Sequence, residues 1–305
     1  LYPDAASAYI HGSGRIRTDV SARTFKKVIQ LLHKQHPRHN VEDYTTDELT
    51  SFCLTRFAGT GQLAGATVKQ RRAHIRALFS WLKFKGYIDS NPAEDLLWTV
   101  KPTRHKVRPG TWLPENMVQQ ILDLFDVDTM KGRRDRTMFL FGISTGLRPF
   151  ELVSLRWTMF TPDLTRVRFT RKGGKIVDRA LPPDVTAALR EWRRERWIGG
   201  DAVWPSFKSA WRDGERQLIA NWDQPIGVDA WRFVLRDVSE QTKVKIRPHD
   251  IRRSIAGILE ERGEKLKDIQ EFLDHENMAT TDLYLSTSPS RRDRVTSGVT
   301  FNLRE

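Results

Sequence analysis

The stretch RDRTMFLFGISTGLRPFEL at 134–152 sets the reading of this chain. Residues 134–147 are strongly apolar, the pattern of a helix buried in a core. Arg148 follows directly, with Glu151 three residues on. Downstream the period changes. In LTRVRFTRKGGKIVDRALP, 164–182, Val167 and Phe169 alternate with Arg166 and Arg168. Lys172-Gly-Gly-Lys175 then supplies a tight basic turn, and a second alternating run follows. That spacing predicts a β-hairpin. Upstream, Leu113-Pro114-Glu115 opens the same domain, with Pro expected at the first helical position and a helix over NMVQQILDLF, 116–125. Further helices are expected at 183–197, 207–221, 228–241, 248–262, 264–273 and 278–285. The expected class is mainly α with a small antiparallel β-sheet.

The first hundred residues carry three helical patterns. SARTFKKVIQLLHKQH, 21–36, places Phe25, Val28, Ile29, Leu31 and Leu32 at helical spacing, with Ser21 as the expected N-cap. TTDELTSFCLTRF, 45–57, begins with a capping-box pair, Thr45 and Glu48. TVKQRRAHIRALFSWLKFK, 67–85, sets Val68, Ile75, Leu78, Phe79 and Leu82 on one side. Lys69, Arg71, Arg72 and Arg76 occupy much of the rest, and Gly86 ends the helix. Trp81 lies among these basic residues, a combination suited to contact with a nucleic-acid backbone. The expected organisation is a helical domain over 1–98, a basic linker over 99–112, a second domain over 113–285 and a tail over 286–305. The linker, with Lys101, Arg104, Lys106 and Arg108, is itself a candidate to lie along phosphates.

Charge fits that organisation. The 305 residues hold 51 Lys and Arg against 38 Asp and Glu, a net charge of +13. Residues 1–105 contribute +7 and the remainder +6, so neither part is a neutral body with a basic tail. A polyanion contacted by both domains accounts for this balance. The one cysteine, Cys53, excludes a disulfide framework and a Cys-based zinc site, as suits a reducing cytoplasm. No run of eighteen apolar residues occurs, and the first residues, LYPDAASAYIHGSG, lack a signal-peptide pattern.

Rare side chains narrow the chemistry. Four of the five tyrosines lie in residues 1–87, leaving Tyr284 alone beyond them. Six of the eight histidines lie at or before His105, leaving His249 and His275. His249 and Arg252 stand three apart at a helix start, so they share a face. His275 follows in FLDH, and Tyr284 ends TTDLY. Two arginines, two histidines, a lysine and a lone tyrosine can attack a phosphodiester, stabilise its pentacoordinate charge and protonate its leaving oxygen.

TGLRPFEL at 145–152, RKGGK at 171–175, HDIRRS at 249–254 and LDHENMATTDLYL at 273–285 together resemble the tyrosine recombinases of the phage-integrase family. The resemblance covers nearly the whole chain. It implies a two-domain architecture, a helical core-binding domain plus an α+β catalytic domain, enclosing duplex DNA. It makes Tyr284 the nucleophile that forms a 3′-phosphotyrosyl bond and releases a 5′-hydroxyl. Arg148 and Arg252 would clamp the non-bridging oxygens, for which their planar forks are suited. Lys172, before Gly-Gly, would protonate the leaving oxygen, with Lys175 its local competitor. His249 would assist proton transfer at the tyrosine, His275 would hydrogen-bond the phosphate, and Glu151 would orient these groups. Asp274 departs from the family's usual Gly, and Arg253 and Ser254 stand where many relatives have His and Thr or Ser. The resemblance implies no metal or nucleotide cofactor, a homotetramer on two DNA sites, a DNA-bending accessory protein as a further partner, and a nucleoid-associated setting in a phage, mobile element or prokaryotic host. A type IB topoisomerase-like relaxing enzyme and a noncatalytic DNA-binding regulator are the alternatives on this scaffold. After Tyr284, STSPSRRDRVTS reads as a polar connector, and VTFNL, 299–303, alternates like a strand. That strand would either add to a neighbouring protomer's sheet or pack on its own domain.

Overall fold

The computed structural model describes residues 4–16, 18–56, 61, 63–102, 112–171, 174–195, 199–212 and 214–273. The chain divides into two compact units, Leu1–Val107 and Arg108–Glu305. Among the described residues no helix is long and apolar enough to cross a membrane.

Unit 1 is helical: α1 (Asp4–Gly12), α2 (Asp19–Gln35), α3 (Thr46–Leu54), α4 (Gly65–Phe84) and the short α5 (Leu96–Thr99). Phe25, Ile29 and Leu32 of α2, Leu49 and Phe52 of α3, and Ile75, Leu78 and Phe79 of α4 meet in one core. Their three- and four-residue spacing puts each set on one stripe, which is why burial selects the helix. The N-cap of α2 is Thr18 rather than the expected Ser21; the Thr18 side chain accepts from the Ser21 N–H at 3.2 Å. At α3 the capping box forms as read: Glu48 accepts from the Thr45 N–H at 2.9 Å, and the Thr45 hydroxyl accepts from the Glu48 N–H at 3.3 Å. Beyond α4, Gly86 adopts φ +72°, and the Tyr87 N–H closes back on Leu82 at 3.0 Å. Trp81 is half-buried and sits edge-on to Tyr9 at 5.7 Å, packed against the unit's core.

Unit 2 contains α6 (Glu115–Asp123), α7 (Met130–Thr145), α8 (Pro149–Val153), β1 (Arg166–Thr170), β2 (Ile176–Ala180), α9 (Pro183–Arg194), β3 (Pro205–Arg212), β4 (Glu215–Pro225), α10 (Val228–Thr242), α11 (Pro248–Glu261) and α12 (Leu266–Leu273). Pro114 is the N-cap of α6, one position earlier than expected. The apolar run forms α7, whose Met138, Phe139, Phe141 and Ile143 are buried in the main core. β1 and β2 pair antiparallel, with Arg168 opposite Asp178. Buried and exposed positions alternate along β1, so Val167 and Phe169 face inward.

The expected helix at 207–221 is wrong. Those residues form a second antiparallel hairpin, β3 with β4, in which Phe207 faces Ala220. Among the described residues the unit therefore carries two separate two-stranded sheets. The sequence holds Asp213-Gly214, a hairpin dipeptide, and Gly214 has φ +81°. A helix through that position would forfeit the turn that glycine permits. The base of the hairpin is pinned by the buried Arg134, whose Nη1 donates to the Pro205 carbonyl at 2.7 Å while Asp135 accepts its Nη2 at 2.6 Å. The expected helix at 278–285 and the tail 286–305 lie outside the described residues.

Candidate active site

Gly146 ends α7 in the left-handed region, at φ +60°. A side chain there would be strained, and its Cβ would approach Leu273 Cδ2 to 2.9 Å. The reversal lets Arg148 act as the N-cap of α8, with Pro149 at the first position. Glu151, one turn in, reaches back: its Oε2 accepts from the Arg148 N–H at 2.8 Å and its Oε1 from Arg148 Nη1 at 3.1 Å. The Arg148 side chain keeps 41 % of its surface exposed, against 10 % for Glu151. The carboxylate is thus an internal strut, and the guanidinium it steers is open to an incoming anion.

A third group holds the same carboxylate. Arg171 Nε lies 3.5 Å from Glu151 Oε1. Arg171 is buried, its guanidinium 5.4 Å from the Phe169 ring centroid, and its Nη1 donates to the Leu273 carbonyl at 3.4 Å. Sequence reading passed over it, although the signal was present. Val167 and Phe169 point inward along β1, and Arg171 is the next residue of that alternation.

α11 supplies the other half. Arg247 is its N-cap and Pro248 its first residue. Asp250 is buried; its Oδ2 accepts from the Arg247 N–H at 2.9 Å, and its Oδ1 accepts from Arg253 Nη1 at 3.2 Å. Burial pushes the Asp250 carboxyl above its usual range, opposed by the Arg247 hydrogen bond. Ser254 accepts from the Leu113 N–H at 2.9 Å and donates to the Asp250 carbonyl at 2.8 Å. Arg252 is 1 % exposed, and its terminal nitrogens donate to the carbonyls of Gly146 and Leu273. Arg179 donates in the same way to Thr145 and Phe272. Guanidinium groups thereby cover the carbonyl ends of α7 and α12, where the helix dipoles are negative.

His249 stands exposed beside these cations. Desolvation by its neighbours lowers its proton affinity most; Arg252 and Arg253 lower it further, Asp250 opposes them, and Arg148 adds a smaller push in the same direction. The imidazole is therefore held toward its neutral form, able to take a proton at neutral pH. Arg148, Glu151, His249 and Arg252 are thus brought near one another: a partly open cation held by a buried carboxylate, a buried cation, and an imidazole held toward its neutral form.

The remaining sequence candidates divide. Lys172, His275 and Tyr284 lie outside the described residues, as do Arg104, Lys106 and Arg108. Lys175 is exposed, and its carbonyl accepts from the Arg171 N–H at 2.8 Å. Lys69 and Lys101 are exposed. Arg71 was expected among the phosphate contacts but is buried at 7 % exposure, donating to the Phe52 and Thr55 carbonyls at 2.5 and 3.0 Å. Arg72 is half-buried and donates to the Val100 carbonyl at 2.8 Å; Arg76 is also half-buried. Packing of α4 on α3 decides this, because it turns the Arg71 position inward.

A family model described as the phage integrase family matches residues 111–291. The tyrosine recombinase XerC of Chromobacterium violaceum is 27 % identical over 286 residues, covering 92 % of this chain and 89 % of that protein. The XerC of Xanthomonas axonopodis pv. citri is 30 % identical over 73 % of this chain and 68 % of its own length. Among solved structures, XerH site-specific recombinase bound to palindromic difH substrate aligns with a TM-score of 0.69 at 18 % identity, covering 91 % of this chain and 79 % of that one. A lambda integrase dimer bound to a COC′ core site aligns with a TM-score of 0.67 at 15 % identity, covering 92 % and 94 %. At those identities the structural likeness establishes the shared fold.

Proposed function

The chain belongs to the phage integrase family and is a tyrosine recombinase; from that premise we propose how its residues divide the work of cutting and rejoining DNA. Tyr284 Oη attacks the scissile phosphorus and the bond to the 5′-oxygen breaks. A 3′-phosphotyrosyl bond and a free 5′-hydroxyl result. The tyrosine proton passes to His249, and Lys172 gives the leaving oxygen its proton. Arg148 and Arg252 neutralise the non-bridging oxygens, and His275 donates a hydrogen bond to one of them. The same steps in reverse, with a 5′-hydroxyl from another strand, rejoin the DNA and return both protons. The phosphodiester energy stays in the tyrosyl ester, so the cycle consumes no nucleotide.

The observation that carries this reading is the setting of His249 three residues before the buried Arg252 on α11: desolvation lowers its proton affinity most, Arg252 and Arg253 add to that, and the half-open Arg148 adds least. That setting supports a reading in which the Arg148 and Arg252 guanidinium groups and His249 act on one phosphate. Arg252 acts from a buried position, where a charge interacts more strongly with a developing oxyanion than it does in water. Relatives with this fold are seen in complexes with DNA recombination sites. Exposed cations such as Lys69 and Lys101 would supply sequence-independent affinity for phosphates. Strand exchange joins two sites, so the working assembly is four protomers, assisted by a DNA-bending protein.

The test is a nicked suicide substrate. Tyr284→Phe keeps the ring and removes the hydroxyl. It should bind DNA with unchanged affinity and yield no SDS-resistant adduct. An adduct formed by that variant would overturn the assignment. Four-strand products from two wild-type sites, rather than plain relaxation of a supercoiled circle, would separate recombination from topoisomerase activity.

A further inference from the structure

The segment HKQHPRH, 33–39, is rich in histidine, and none of it takes part in the DNA chemistry above. In unit 1 it lies where α2 gives way to α3. His36 ends α2; its N–H donates to the Leu32 and His33 carbonyls, each at 3.1 Å. The His39 N–H then closes a turn on the His36 carbonyl at 3.2 Å. The backbone carrying both rings is fixed by these bonds. Glu48 approaches from the first turn of α3, where its Oε2 is committed to the Thr45 N–H at 2.9 Å and the Thr45 hydroxyl at 3.0 Å. Its Oε1 faces the histidines: His39 Nε2 is 3.1 Å away and His36 Nδ1 3.8 Å.

We propose that His36, His39 and Glu48 bind one divalent transition-metal ion of the zinc type, stapling the end of α2 to the start of α3. One ligand atom from each residue lies within 4.8 Å of the other two. A tetrahedral ion with bonds of about 2.0–2.1 Å holds its ligands roughly 3.3–3.4 Å apart. The two distances to Glu48 lie on either side of that value. Two imidazoles and a carboxylate suit zinc, copper, nickel or cobalt, whereas magnesium and calcium prefer all-oxygen sites. Outer contacts already orient the ligands. Thr45 fixes the carboxylate, and the Tyr44 ring lies 5.6 Å from the His36 ring and 5.0 Å from the His39 ring. All three residues are half-buried, so an ion can enter from solvent and keep water as a fourth ligand. Cys53 does not compete, because its thiol is buried and its pKa is pushed up to about 12. The site belongs to unit 1, at the junction of α2 and α3, and its role is structural.

The experiment uses the untagged 305-residue chain, stripped with chelator and desalted. Zinc chloride is titrated calorimetrically, and cobalt chloride is followed by visible absorption. Binding of one ion per chain is expected, with the intense d–d bands of a tetrahedral cobalt site and a thermal transition that rises with zinc concentration. His36→Gln and His39→Gln should each weaken zinc binding by at least about tenfold, and His33→Gln should leave it unchanged. Circular dichroism and DNA affinity confirm that each variant is folded. Equal zinc affinity in wild type and both ligand variants, or no saturable binding by the wild type, would overturn the proposal and leave the His39–Glu48 contact a plain hydrogen bond.

Discussion

Replacing Arg71 separates stability from DNA binding. In the sequence it stands beside Arg72 on a basic helix, with Lys69 and Arg76 nearby. In the structure its guanidinium serves α3. The last carbonyls of any helix lack internal partners, and Phe52 O is one of them in α3. Arg71 Nη1 donates to it and to Thr55 O, and its guanidinium carbon lies 4.5 Å from the Phe52 ring centroid. A hydrogen bond from a charged donor contributes about 1.5–3 kcal/mol net. A partly desolvated cation–π contact adds about 1–2 kcal/mol. The two share one group and do not add fully. Freeing a buried cation also recovers some desolvation cost, a cost seen in the lowered pKa of Arg71. The expected loss for Arg71→Ala is therefore about 2–4 kcal/mol. Arg71→Met keeps the apolar stem and should lose roughly half as much. Urea unfolding of the intact chain gives the midpoint, and hydrogen exchange on peptides of α3 localises the loss. DNA binding by fluorescence anisotropy at several salt concentrations is the second arm. The slope of log K against log salt should not change for Arg71→Met, whereas exposed Lys69→Ala should shallow it by about 0.9 at unchanged stability. If Arg71→Met shallows the slope and leaves the unfolding midpoint in place, the inward assignment is refuted.

Two further outcomes follow from the site. Arg171→Gln removes the buried cation between Glu151 and the Leu273 carbonyl; single-turnover cleavage should fall about 10–100-fold, the equivalent of one charged hydrogen bond, with DNA affinity unchanged and partial rescue by Arg171→Lys. A matching loss of affinity would show that Arg171 contacts DNA directly. His249 has a folded-state proton affinity below its unfolded value, so the folded chain binds fewer protons there; its contribution to stability is present above about pH 6.5 and is lost as pH falls through the folded pKa. Its ring resonances, assigned by comparison with His249→Gln, should titrate below about pH 6.5, and Arg253→Gln should move that midpoint upward. A downward movement would contradict the charge assignment.

Much of the chain could be read locally. The Thr45–Glu48 capping box, the buried run of α7 and the alternation of β1 all rest on chemistry between residues two to four positions apart. The order of Arg148, His249 and Arg252 was equally visible, because each lies beside a helix start that sequence marks with proline. Arg171 was readable too, as the next inward position after Phe169, had the alternation been carried one step further. The helix expected at 207–221 conflicts with Asp213-Gly214, a local hairpin signal, and β3 and β4 form on either side of that dipeptide.

Other features had no local signature. Whether Arg71 points to solvent or into unit 1 depends on which helix covers its face of α4, and Phe52 lies nineteen residues away. Arg252 finds Gly146 across 106 positions and Leu273 across 21, and Arg179 finds Phe272 across 93. A guanidinium on a long, flexible stem carries several donors and no directional preference of its own. Its direction is set by whichever unpaired carbonyls the packed elements bring near it. The sequence by itself determined the order of Arg148, Glu151, His249 and Arg252 along the chain and the helix start that carries the last two. Only the tertiary structure decided which arginines brace helix ends from within and which remain open to a phosphate, because that division depends on the burial of carbonyls contributed by distant parts of the chain.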